Sequence, residues 1–98
     1  MEIKITNEGK VTTAALIGRL DTLAAQEIAP QMNELDTSGT LVIDCEQLEY
    51  ISSSGLRIFL SLRKSSAEKG GKVIVRSISK EIRSVFMMTG FLNLFEIQ

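Results

Sequence analysis

The chain has 98 residues, 44% of them hydrophobic, with 11 basic and 12 acidic side chains and a net charge of -1. That is enough apolar material for one packed core, too much for a disordered chain, and too balanced in charge for bulk attraction to nucleic acid or an anionic membrane. With no histidine and a single cysteine, a Ser-His or Cys-His nucleophile pair, a phosphohistidine, a zinc or haem site and an internal disulfide are all excluded, and no metal or cofactor is implied.

Met1 to Thr6 alternates, with Met1, Ile3 and Ile5 on one face, and predicts a strand. Asn7-Glu8-Gly9 is a turn, and Lys10 to Gly18 predicts a second strand, so the chain opens with a hairpin. Asp21 to Leu35 predicts a helix with Asp21 or Thr22 as its N-cap; Pro30 within it predicts a kink or two segments. Asp36 to Gly39 breaks the chain. The continuous apolar run Thr40 to Cys45 predicts a central strand, and Cys45 itself is expected to be buried rather than reactive.

A serine-rich start at Ser52, Ser53 and Ser54 leads into a second helix that stops at Gly70-Gly71. Lys72 to Ser77 predicts a strand. Ser79 to Gly90 predicts a helix, with Ile78, Ile82, Val85, Phe86 and Thr89 as its apolar stripe. Asn93 to Gln98 predicts a last short strand. Alternating strands and helices after a hairpin give an α/β fold: a mixed, mostly parallel open sheet with helices predominantly on one side. The apolar runs fall short of the ~20 residues needed to span a bilayer. Met1 to Lys10 has no apolar signal region, so no membrane insertion and a cytoplasmic location are expected.

Three serines and Gly55 before an amphipathic run raise the question of what the hydroxyls do. A serine there can cap the free backbone N–H groups of the first turn, and Ser54 is expected to contribute such a cap. The same N–H groups and the positive helix end also stabilise an added phosphate, which brings about -1.5 to -2 charges. The segment is expected to be exposed. Arg57, Arg63 and Lys64 are expected on the solvated face of the helix, with Arg57 close enough to Ser54 to meet a partner. Of Met87 and Met88, at least one is expected in the core. The segment lacks the glycine and lysine pattern of a phosphate-binding P-loop, and Asp44 has no second catalytic group beside it in the sequence, so an enzyme is not expected.

Gly18, Leu20 and Asp21, followed by Ser53, Ser54, Gly55 and Leu56, resemble the two motifs of the STAS domain, and within it the bacterial anti-sigma factor antagonists. Element order agrees along nearly the whole chain, which implies a STAS domain over residues 1–98. Ser52 stands where that family usually has aspartate. The resemblance implies an anti-sigma factor serine kinase and a serine phosphatase as partners, with no direct contact to nucleic acid. It implies phosphorylation at Ser54, or as second choice Ser53, and partner contacts at Asp21, Ser52, Ser53, Gly55 and Arg57. A small cytosolic STAS subunit of an ABC-type lipid transporter is the alternative role.

Overall fold

The computed structural model describes residues 1–98. Strands β1 (Glu2–Glu8) and β2 (Val11–Leu20) form the opening antiparallel hairpin, turning at Gly9 with φ +63°. Helix α1 (Thr22–Asn33) leads to β3 (Thr40–Asp44), which lies parallel to β2. A further short strand, β4 (Leu48–Ile51), pairs in parallel with the far end of β2. Helix α2 (Ser53–Lys69), strand β5 (Lys72–Arg76), helix α3 (Lys80–Thr89), a 3-10 turn at Phe91–Asn93 and strand β6 (Glu96–Ile97) complete the chain. The sheet order is β1-β2-β3-β5-β6, with β4 off this path, and every pairing after the hairpin is parallel.

Two features differ from the sequence reading. Beyond the strand expected at Thr40–Cys45, Leu48–Ile51 forms a separate strand, because β2 pairs with β3 over Val11–Ala15 and with β4 over Gly18–Leu20, the latter pairing carrying a register shift between Gly18 and Arg19. The chain turns between them at Glu46 and Gln47, where Asp44 Oδ1 accepts the Glu46 N–H at 3.1 Å. The last strand shrinks to two residues because Phe91–Asn93 coils to bring Phe91 and Phe95 into the core. Pro30 lies within one continuous helix.

All three helices pack on one face of the sheet. Ala24, Ala25, Ile28 and Met32 of α1, Leu56, Ile58, Phe59 and Leu62 of α2, and Ile82 and Phe86 of α3 share a single core. The sheet contributes the inward residues Ala14, Leu16, Leu41, Ile43, Val73 and Val75 to it. Phe59 and Phe86 meet edge to face at 5.9 Å, with Phe91 and Phe95 beside them, which locks α2, α3 and the C-terminal segment together. Met87 and Met88 are not core residues: they are 63% and 85% exposed. The stripe of α3 runs through Ile82 and Phe86, and the next two positions turn away from the sheet.

At the far end of α2, Gly70 closes the helix in the left-handed conformation at φ +76°. Gly71 then passes so close to another loop that a Cβ there would collide with the carbonyl oxygens of Thr37 and Gly39. Gly71→Ala is therefore expected to destabilise the protein by about 1–3 kcal/mol, the usual range for overpacking, read as a lowered midpoint in denaturant.

Cys45 is fully buried, and burial, followed by the neighbouring Asp44 carboxylate, pushes its thiol up to about 12. The folded protein at pH 8 is expected to resist an alkylating reagent at this position, with stoichiometric labelling on unfolding; intact-mass measurement with and without denaturant checks this.

Candidate functional site

The serine-rich segment is positioned by backbone contacts between β2 and the start of α2. The Ser52 N–H donates to Leu20 O at 2.8 Å, and Leu56 N–H donates back to Ser52 O at 3.0 Å. Gly55 presses its bare Cα against Leu20: a Cβ at that position would lie 2.7 Å and 2.8 Å from two Leu20 side-chain carbons and 3.0 Å from Ile51. Glycine is required there because the helix docks on the sheet with no room for a side chain. The contact brings Asp21, the residue after Leu20, beside the first turn of α2.

The three serines divide their work. Ser52 is the N-cap: its Oγ accepts the Gly55 N–H at 3.2 Å, and the residue is only 9% exposed. This corrects the expectation that Ser54 contributes the cap, since Ser54 lies one residue inside the helix. Ser53 is exposed and Ser54 half-buried. The segment is thus not exposed throughout; Ser52 and Gly55 are buried by the same docking contact that fixes the helix. Their geometry gives them structural work at this site, whereas Asp21, Ser53 and Arg57 present side chains to solvent.

Asp21 caps the neighbouring helix, its Oδ1 accepting the Ala24 N–H at 2.8 Å. Two helix N-termini, each with an oxygen already on one orphan donor, therefore start at the same end of the sheet. Arg57, three positions after Ser54, is exposed on the first turns of α2 and stands in no salt bridge. The i,i+3 spacing puts it on the same helix face as Ser54. Arg63 is also exposed but is anchored, its Nε donating to Leu94 O at 2.8 Å.

Sequence reasoning missed the apolar and aromatic groups near this end. Leu23 on α1 is 64% exposed, and Tyr50 on β4 stands two residues before Ser52 with the Arg19 guanidinium 4.5 Å from its ring centre. The Arg19–Tyr50 pair arises from the β2–β4 register, which aligns the two residues across the strands. Nothing in the local pattern of Leu48–Ile51, buried at its two ends and exposed between, announces a strand. The side chains at this end provide no cluster of potential metal ligands, and no helix is long and apolar enough to cross a membrane.

Known proteins resemble this chain along most of its length. BtrV of Bordetella bronchiseptica, a candidate anti-sigma factor antagonist, is 29% identical over 86 residues, which cover 86% of this chain and 74% of that protein. The anti-sigma-B factor antagonist of Staphylococcus aureus is 22% identical, over 99% of this chain and 92% of its own length. Among solved structures, the Bacillus cell fate determinant SpoIIAA in its phosphorylated form has a TM-score of 0.75 at 19% identity, covering 99% of this chain and 91% of that one. The unphosphorylated form of SpoIIAA gives 0.73 at 18% identity, covering 99% and 87%. These structural likenesses bear out the mixed sheet with helices on one face. The STAS domain family model matches residues 2–98, and the chain belongs to the STAS domain family.

Proposed function

We propose that this protein is an anti-sigma factor antagonist of the partner-switching type. In its unmodified form it binds an anti-sigma factor that is also a serine kinase. Phosphorylation of Ser54 by that kinase breaks the complex, and a serine phosphatase restores it. The observation that carries this reading is the division of labour among the serines. Ser52 holds the cap, which leaves the Ser54 hydroxyl at the helix start without a structural duty. The names of the relatives from Bordetella and Staphylococcus support the pathway. The existence of SpoIIAA in phosphorylated and unphosphorylated forms supports a phosphate switch on this fold.

The physics of the switch follows from the site. A phosphate at the second helical position meets free N–H groups and the positive end of α2, so the fold tolerates it. It also adds about two negative charges to a surface that already carries Asp21. A docked partner would have to desolvate that charge. A loss of ~3 kcal/mol at the interface weakens binding more than a hundredfold. Arg57, Ser53 and Asp21 are the exposed residues proposed to meet the kinase at this end, with Leu23 and Tyr50 as the apolar contacts beside them.

Incubation with the serine kinase recovered by pull-down, plus ATP, is expected to add one phosphate, mainly at Ser54. Intact-mass measurement with fragmentation checks the position. Modification confined to Ser53, or efficient labelling of Ser54→Ala, would reassign the site.

The caps separate folding from binding. Ser52→Ala is expected to lower stability by about 0.5–2 kcal/mol through loss of the cap. Ser54→Ala is expected to leave both stability and kinase affinity near wild type. Ser54→Asp is expected to fold as well as wild type yet bind the kinase more weakly, though less weakly than the phosphorylated protein, because it carries a single charge. Thermal melts and calorimetric titration against the isolated kinase check all three variants; equal affinity of Ser54→Asp and wild type would contradict the switch.

A further inference from the structure

The end of the molecule opposite Ser54 carries a cleft that the proposed switch does not use. It lies at the C-terminus of α2, about 25 Å along the helix from the serines by its 17 residues. Its volume is about 410 Å³, and its lining holds no apolar and no acidic side chain. Lys10 from the hairpin turn, Thr40 at the start of β3 and Lys72 at the start of β5 face it, over a floor of Gly39, Gly70 and Gly71. The floor is rigid, because Gly39 and Gly71 are packed against neighbouring backbone too tightly for a Cβ. Its backbone donors are largely spent: Thr40 N–H donates to Lys10 O and Lys72 N–H to Gly39 O. Recognition in the cleft therefore falls to side chains.

Lys10 is in no salt bridge, and Lys72 has only an exposed contact to Glu96 at 3.8 Å, a weak pair that can be given up at little cost. Asp36, two residues before Ser38 of the lining, is turned to its own loop: Oδ1 accepts the Ser38 N–H at 2.9 Å and the Ser38 hydroxyl at 2.6 Å, which holds its carboxyl below the usual range. Two ammonium groups and a hydroxyl without a competing carboxylate in the lining suit a phosphate, which lysine binds as a point charge.

A second groove of about 210 Å³ shares Gly71 and Lys72 with the cleft. It is lined by Val73, Leu94 and Phe95 on its apolar side and by Arg63 and Ser66 on the other. The Ser66 hydroxyl is the one buried side-chain polar atom in the protein without a hydrogen-bond partner. We propose that cleft and groove together bind a small phosphate monoester carrying an apolar group, with the phosphate between Lys10 and Lys72 and the organic part against Val73, Leu94 and Phe95.

The test uses the full 98-residue chain, labelled with nitrogen-15 and titrated with phenyl phosphate at low ionic strength. The amides of Gly39, Gly70, Gly71, Leu94 and Phe95 are expected to shift on one saturable curve, with a dissociation constant of about 1 mM or below for a ligand of this size. Inorganic phosphate is expected to move the three glycines and leave Leu94 and Phe95 unchanged. Lys10→Gln, at an exposed residue outside any salt bridge, is expected to weaken phenyl phosphate about tenfold, as is Lys72→Gln, with unaltered melting temperatures. Leu94→Ser is expected to weaken phenyl phosphate while sparing inorganic phosphate. Absence of saturable shifts, shifts spread over exposed lysines throughout the surface, undiminished binding by both lysine variants, or equal effects of phenol and phenyl phosphate would each overturn the proposal.

Discussion

The contact of Gly55 with Leu20 sets the geometry of the candidate functional end. It lets the first turn of α2 rest on the end of β2, so that Ser52 can both receive its place from the Leu20 carbonyl and cap its own helix. A side chain at position 55 would lift the helix off the strand. The cap, the neighbouring Asp21 and the exposure of Ser53 all depend on that docking. A single missing Cβ therefore does two things: it lets the helix close over Leu20 and Ile51, and it holds the two preceding serines at the end of the sheet, Ser53 exposed and Ser54 half-buried.

The same arrangement explains how a charge can be added here without loss of the fold. A helix N-terminus presents donors and positive potential, so negative groups stabilise it. Ser52 uses one donor, and the remaining capacity is local to the first turn, where Ser53 and Ser54 sit. Under the proposed switch, the energetic effect of phosphate is thus directed outward. It is favourable or neutral toward its own helix and unfavourable toward any apolar or acidic surface brought against Leu23, Tyr50 and Asp21. A position in the middle of α2 would have no free backbone donors to offset the charge, and the modification would act on folding as well as on binding.

Much of this was legible in the sequence. The strand periods, the serine and glycine helix boundaries, the hairpin and the one-sided packing follow from local patterns that the tertiary structure keeps. Where the reading failed, a non-local contact decided. Leu48–Ile51 becomes a strand because the end of β2 needs a partner beyond β3. Which serine caps α2 depends on where Gly55 lands on Leu20, a fact with no signature in three identical residues. Met87 and Met88 illustrate the opposite case. The stripe through Ile82 and Phe86 already placed them on the outer face, and chemical character alone argued for the core.

The packing of the helices imposes one constraint. All three helices lie on a single sheet face, and the aromatic cluster of Phe59, Phe86, Phe91 and Phe95 occupies the space between α2, α3 and the C-terminal segment. With that space filled, α2 cannot shift along the sheet without opening cavities at several aromatic rings, each a cost of several kcal/mol on the scale of large-to-small core changes. The helix is therefore a fixed strut rather than a moving part. Under the proposed switch, a phosphate at its N-terminus has no low-energy internal rearrangement to drive, and it is read at the surface where it is added. That favours control through direct occlusion of a partner over control by a change in shape.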